Sequence, residues 1–111
     1  MKIEKFEAVT TAELPKLDIP KVNALQKDFA SVNSAGSPLT FGVFRLNEGE
    51  ALPYTYEFDE FKLVLEGEFT VTDDSGTATK FKAGDVMQFK KGTTATFSTS
   101  STGLAYYVAQ R

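Results

Sequence analysis

The chain has 111 residues, of which 41% are hydrophobic, and a formal net charge of −3, which suits one self-sufficient domain. It contains no His and no Cys. Their absence excludes disulfides, Ser–His and Cys–His nucleophile pairs and metal sites built from histidines. The only adjacent basic pair is Lys90-Lys91. That is too little for a surface that follows a phosphate backbone, so we expect no nucleic-acid partner.

The first residues carry no targeting pattern. Residues 1–5 mix charged and apolar side chains where a signal peptide would need an apolar stretch. No apolar run approaches the length of a membrane span. We therefore expect a cytoplasmic protein with no membrane partner.

Residues 1–38 are less regular than the rest. Pro15 and Pro20 interrupt any long helix, because each lacks an amide donor and fixes φ. Residues 12–17 are predicted to form one turn of helix or an extended lead-in, residues 24–30 an edge strand, and residues 33–38 a loop. This lead-in precedes the main body of the fold, which we expect to span residues 39–110.

From residue 39 onward, short segments rich in Val, Thr, Phe and Tyr alternate with turn residues. The predicted strands are residues 39–46, 51–57, 61–65, 68–72, 78–81, 86–89, 94–97 and 104–109. Asp73-Asp74-Ser75-Gly76 supplies a hairpin turn, since Gly accepts a positive φ. This spacing predicts an all-β sandwich or barrel, and we expect residues 1–111 to form a single domain.

Two stretches resemble the paired motifs of the cupin superfamily. The first motif runs Gly, five residues, His-x-His, a short gap, Glu, six residues, Gly, and here Gly49, Glu60 and Gly67 match it. Thr55 and Glu57 stand at the two histidine positions, and the gap before Glu60 is one residue short.

The second motif falls within residues 84–99. Gly84-Asp85 and Gly92 match it, whereas Lys90 stands in place of its Pro and Ala95 in place of its metal-binding His. Two motifs in order, with all-β surroundings, are far more specific than either alone.

Within the cupins, the chain most resembles the small histidine-poor domain of the ethanolamine-utilisation Q family. Those proteins carry Tyr-Asp-Glu where this chain has Phe58-Asp59-Glu60. The resemblance implies a cupin-type double-stranded β-helix, that is, a jelly-roll barrel with a pocket at one open end. It also implies a homodimer.

No metal cofactor is expected, because the family's histidine ligands are missing. The alternative is a divalent ion held by Glu57 and Glu60 together with hydroxyl or water ligands. Such an all-oxygen set would suit Mg, Ca or Mn rather than Zn, Cu or Fe.

Strand parity identifies the candidate catalytic residues. Side chains alternate between the faces of a strand, so Thr55 and Glu57 share one face, as do Glu60 and Lys62. If these faces line the barrel, Glu57, Glu60 and Lys62 meet inside it. One Glu would then act as general base or acid, and Lys62 would stabilise an oxyanion. The alternative is a structural ion pair of Glu60 with Lys62, and a one-residue slip would turn both outward.

Other polar residues on these strands are candidate ligand contacts. They are Thr55, Tyr107, Gln88 and Arg45. Of Tyr106 and Tyr107, one must face inward. Tyr54 and Tyr56 would point away from Glu57, and we expect them to pack between the sheets or at a dimer interface.

These observations leave two functions open. The first is metal-independent acid/base chemistry, such as isomerisation, dehydration or enolisation of a small polar metabolite. The second is a non-catalytic ligand-binding or accessory module that acts as a dimer. A third option, the acetate-kinase-like activity suggested for relatives, finds no nucleotide motif here.

Overall fold

The computed structural model describes residues 1–111, and it is built from eight β-strands. They are β1 (Ala24–Val32), β2 (Leu39–Asn47), β3 (Leu52–Thr55), β4 (Glu60–Thr72), β5 (Ala78–Lys82), β6 (Val86–Phe89), β7 (Thr94–Ser98) and β8 (Thr102–Ala109). The helical content is one 3-10 turn at Val9–Thr11, and no helix has the length and hydropathy needed to cross a membrane. The all-β prediction is confirmed.

The strands pair antiparallel into a sheet that curls into a jelly-roll barrel. One side of the barrel runs β1-β2-β8-β4-β6, and the other joins β3 to β7 and both β7 and β5 to β4. The long strand β4 therefore belongs to both sides and connects them. The predicted edge strand is β1, which pairs only with β2 inside the sheet.

Strand β4 corrects one sequence prediction, because residues 61–65 and 68–72 form one strand instead of two. A β-bulge between Val64 and Glu66 bends it where it passes from one side of the barrel to the other. Gly67 follows the bulge with φ 68°, and a Cβ there would lie 2.0 Å from the carbonyl oxygen of Thr102. Only glycine fits this crossing, so the motif glycine has a steric role.

Alternation along the strands places an apolar core inside the barrel. Along β4, inward Glu60, Lys62 and Val64 are buried, whereas outward Phe61 and Leu63 are exposed. Aromatic rings fill much of the interior, with Phe44 in contact with Phe69 and Phe97 at centroid distances of 5.9 and 5.8 Å. This packing gives a chain that has no cysteines an apolar core of its own.

The N-terminal lead-in is extended instead of helical over residues 12–17. It runs beside β1, where Leu17 N–H donates to the Ala24 carbonyl at 2.8 Å and Gln26 N–H to the Pro15 carbonyl at 3.0 Å. These bonds fold the segment back over one end of the barrel. It thus forms part of the wall of the cavity described below.

The outer face of the five-stranded side is apolar. In one cross-strand row, Val43 pairs with Tyr106, Tyr106 with Leu63, and Leu63 with Val86. Phe61 lies in the neighbouring row and is 49% exposed. Val43 is fully buried, so the part of this apolar face that water reaches lies on β8, β4 and β6.

Candidate functional site

One end of the barrel holds a cavity of about 280 Å³. Its walls come from the lead-in, β1, β2, β3, β4, β7 and the residues after β3 and β8. Most of the lining residues are apolar or aromatic. The complete lining consists of Leu17, Ile19, Gln26, Phe44, Leu52, Pro53, Tyr54, Tyr56, Phe58, Glu60, Lys62, Phe97 and Arg111. A small apolar cavity with a few converging polar groups is the usual form of a ligand site.

Glu60 and Lys62 meet inside this cavity. Both side chains point inward from β4, and the two residues are only 4% and 5% exposed. Lys62 Nζ lies 2.6 Å from Glu60 Oε2. The alternation of side chains along the strand therefore predicted the position of both residues correctly. The alternative one-residue shift, which would have turned both outward, is not present in this strand.

Aromatic rings surround the Lys62 ammonium group. Its Nζ lies 4.8 Å from the ring centroid of Tyr107 and 5.1 Å from that of Phe44, with Phe97 and Phe89 at 5.8 and 6.0 Å. Ring faces attract a cation, but they replace little of its lost hydration. Burial accordingly lowers the pKa of Lys62, while the Glu60 carboxylate opposes that shift.

Tyr56 completes the polar centre. Its hydroxyl donates to Glu60 Oε2 at 3.2 Å. Burial and the neighbouring Glu60 charge raise the pKa of Tyr56 far above its usual value, so the hydroxyl stays a proton donor. Both contacts fall on Oε2, which leaves Oε1 of Glu60 without a donor from the chain. No fully buried side-chain oxygen lacks a partner, so Oε1 reaches open space.

The strand before Glu60 has the opposite parity to the one predicted. Tyr54 and Tyr56 line the cavity, whereas Thr55 and Glu57 are exposed. The motif can be aligned so that Tyr54 and Tyr56, instead of Thr55 and Glu57, stand at its two histidine positions. The gap before Glu60 then has the length that the motif requires. The residue that this chain lacks then falls between Gly49 and Tyr54. A one-residue shift in the alignment is sufficient to exchange the two faces.

This register corrects several predicted placements. Glu57 does not meet Glu60 and Lys62, and Thr55 instead shares a hydroxyl hydrogen bond of 2.8 Å with Thr94 outside the barrel. Gln88 is exposed on β6. Arg45 lies on the outer face of β2, where it bonds Thr102 at 2.7 Å and Glu66 at 3.2 Å. None of these four side chains lines the cavity.

Of the neighbouring residues Tyr106 and Tyr107, it is Tyr107 that faces the interior of the barrel, and it is 0% exposed. Its hydroxyl donates to Asp28 Oδ1 at 2.5 Å. The same carboxylate accepts two bonds from Arg111, at 2.7 and 3.0 Å, and these bonds lower the pKa of Asp28. Arg111 also stacks over Phe58 at 5.2 Å. The network fixes a guanidinium group in the cavity wall.

A divalent metal does not fit the donor groups at the family's usual position. Glu57 is exposed and Ala95 offers only a methyl group, so Glu60 is the one carboxylate that lines the cavity. The ammonium of Lys62 stands 2.6 Å from that carboxylate, and its positive charge opposes the binding of a second cation there. The described residues contain no group of three potential acidic, His or Cys ligands.

Several lining residues were not identified from the sequence. Leu17 and Ile19 lie in a segment without periodicity, so no local signal could reveal them. Arg111 could have been found, because it continues the inward alternation of Tyr107 and Ala109 along β8.

These features define a cupin barrel with a histidine-free pocket. The sequence profile of the EutQ-like cupin domain matches residues 34–104, and the chain belongs to that family. It is 40% identical over 74 residues to the acetate kinase EutQ of Escherichia coli K12; the match covers 67% of this chain and 31% of that protein. The chain thus spans about a third of the curated relative's length.

Solved structures support the same assignment. A EutQ structure from Salmonella typhimurium LT2 is 30% identical, with a TM-score of 0.75 over 87% of this chain and 77% of that one. The EutQ protein of Clostridium difficile is similar in fold, with a TM-score of 0.79 at 21% identity over 93% of this chain and 77% of that one.

Proposed function

We propose that this cupin binds a small metabolite in its cavity and transfers a proton to or from it without a metal. The observation that carries the proposal is the buried contact of 2.6 Å between Lys62 and Glu60 in the wall of an aromatic cavity. Burying a charged group costs roughly several kcal/mol per ion. Buried ionisable groups with charged partners concentrate in active sites.

Each polar group has a distinct task in this proposal. Glu60 Oε1, free of protein donors, accepts a proton from a carbon or oxygen of the ligand. Lys62 and the Tyr56 hydroxyl stabilise the negative charge that develops on the neighbouring carbonyl oxygen. The same residues can return the proton at another position, which makes the net reaction an isomerisation or an enolisation.

The cavity wall suggests the kind of ligand. Its aromatic and aliphatic side chains favour an apolar body, while the charged pair favours one carbonyl or hydroxyl group at the inner end. A volume of about 280 Å³ suits a small metabolite instead of a cofactor or nucleotide.

Hydrogen–deuterium exchange at carbon tests the proton transfer without knowledge of the natural substrate. A panel of small aldehydes, ketones and carboxylic acids is incubated with the chain in D₂O, and loss of the α-proton signals is followed by NMR. We expect catalysed exchange in at least one carbonyl compound. Glu60→Gln should slow it by about 10²- to 10⁴-fold, the usual contribution of a general base.

Glu57→Gln provides the matched control, because Glu57 lies three residues away yet is exposed and outside the cavity. It should leave exchange unchanged. Exchange that survives Glu60→Gln would contradict the proposed role of Glu60.

A ligand-binding module without turnover is the second candidate. Here the supporting observation is the small cavity itself, which is lined mostly by apolar and aromatic side chains with a few converging polar groups. This function would be favoured if a compound of the panel raises the melting temperature of the chain while none of the compounds shows catalysed exchange at carbon. The kinase activity in the names of the curated relatives is not proposed, since no Gly-rich loop leads into a helix here.

We also propose that the chain forms a homodimer through the apolar outer face of β8, β4 and β6. The row Tyr106, Leu63 and Val86 is uncharged, so a two-fold axis through it would bring like surfaces together without burying a charge. Leu63→Glu should convert the dimer into a monomer in sedimentation experiments. Gln88→Glu, on the rim of the same face, is the control and should not.

A further inference from the structure

Lys62 is the one amine that the fold encloses in the cavity. Its side chain is 6% exposed, and its Nζ has a single ionised partner, the Glu60 carboxylate at 2.6 Å. Every other lysine of the chain is exposed to water. An enclosed amine beside a carboxylate can lose its proton to that neighbour within the site, which an exposed lysine cannot do.

We propose that Lys62 forms a reversible imine with small aldehydes or ketones that enter the cavity. This activity rests on the proposed function, because it requires that the cavity bind a carbonyl compound. It differs from the proton-transfer role in one respect: Lys62 would bond to the ligand carbon and not only stabilise its oxygen. Burial supports the chemistry, since it lowers the pKa of Lys62 and so increases the fraction of neutral amine.

The steps balance with groups that are already present. Lys62 passes a proton to Glu60, and the neutral Nζ bonds to the carbonyl carbon as the C=O π bond breaks. One of the two protons then on Nζ moves to the carbonyl oxygen. The resulting carbinolamine then loses water, with Glu60 returning its proton to the departing hydroxyl. The ammonium and the carbonyl compound thus become a protonated imine and water with Glu60 ionised again, and no oxidant, reductant or metal takes part.

The surroundings of Nζ suit the product as well as the free lysine. The protonated imine keeps the positive charge at the position of the ammonium nitrogen. The faces of Phe44 and Tyr107, 5.1 and 4.8 Å from Nζ, would therefore attract both cations. Glu60 remains the counter-ion in both states, so the reaction creates no unpaired charge.

Reductive trapping tests the imine directly. The full chain is incubated at pH 7 with benzaldehyde and sodium cyanoborohydride, digested, and examined by mass spectrometry for benzylated lysines. Lys90 is exposed and serves as the reference within each sample. We expect the label at Lys62 to exceed that at Lys90, because burial lowers the pKa of Lys62 and so leaves more of its amine neutral. Labelling of Lys62 equal to or below that of Lys90 would overturn the proposal.

A paired substitution separates binding from bond formation. Glu60→Gln with Lys62→Met removes both charges together, so neither is left buried alone. The excess label at position 62 should disappear in this variant, while the exposed Lys90 should be labelled as in the unaltered chain. In the unaltered chain, thermal stabilisation without the Lys62 label overturns the imine and leaves the proposed ligand site intact. A Lys62 label without carbon exchange supports the imine and contradicts the proton-transfer role.

Discussion

Strand β4 carries one ion pair on each side of the barrel wall, and the two pairs differ in almost every physical respect. Inside, Lys62 and Glu60 have side chains only 6% and 4% exposed and lie 2.6 Å apart. Outside, Arg45 and Glu66 are 28% and 57% exposed and lie 3.2 Å apart. Water screens the outer pair, whereas the inner pair depends on its own two members and on the surrounding rings.

This difference separates structural charge from functional charge. An exposed pair contributes about 0–1 kcal/mol and is easily exchanged for other residues. A buried pair is seldom the most stable choice, because apolar residues of similar volume do as well or better. Its presence in a cavity open to small molecules is therefore better explained by the chemistry it allows than by the stability it adds.

The largest effect is expected from breaking the inner pair. Lys62→Met leaves Glu60 buried without its counter-ion, and we expect a loss of about 3–5 kcal/mol in the free energy of unfolding. Urea denaturation of the variant and of the unaltered chain measures it. The paired change with Glu60→Gln should recover most of the loss, because no buried charge is left. A paired variant as unstable as Lys62→Met alone would show that packing, not charge, sets the cost.

A smaller effect is expected from the network that fixes Arg111. Asp28→Asn leaves the Tyr107 hydroxyl and the Arg111 guanidinium without their charged acceptor. We expect a loss of about 1–2 kcal/mol, in the lower range for hydrogen bonds to charged groups, because the carboxylate is partly exposed. Denaturation at neutral pH measures it, and Asp18→Asn, an exposed acid with no hydrogen bond through its side chain, is the control.

The contribution of Asp28 should also depend on pH. Hydrogen bonds from Arg111 lower the pKa of Asp28 below its ordinary 3.8. A carboxyl group with a lowered pKa stabilises the fold above the ordinary value, and this contribution is lost as the pH falls through the lowered pKa. The stability difference between the unaltered chain and Asp28→Asn should thus hold at pH 5 to 7 and shrink below about pH 3.8. A difference that stays constant down to pH 2 would contradict this assignment.

Features that depend on neighbouring residues in the chain could be predicted from the sequence, whereas features that depend on contacts between distant residues could not. The strand at 86–89 was predicted with the correct bounds, because alternation and turn residues are local. Glu60 and Lys62 were placed together by the same alternation. Tyr54 and Tyr56 were assigned to the wrong face, since the motif spacing allowed two alignments one residue apart. Leu17 reaches the cavity only because the lead-in folds back over the barrel, and that long-range contact leaves no trace in the sequence.

The smallest effect should come from the outer pair, and it sharpens the comparison most directly. Arg45→Ala removes the contacts to Glu66 and Thr102. Water can form hydrogen bonds with the groups that lose their partner, because this part of the surface is exposed. We expect a change of about 0–1 kcal/mol in the free energy of unfolding. It should shrink further at high salt, whereas the cost of Lys62→Met should not, because dissolved ions screen exposed charges and not enclosed ones. A loss at Arg45 as large as the one at Lys62 would mean that burial does not determine what each pair contributes.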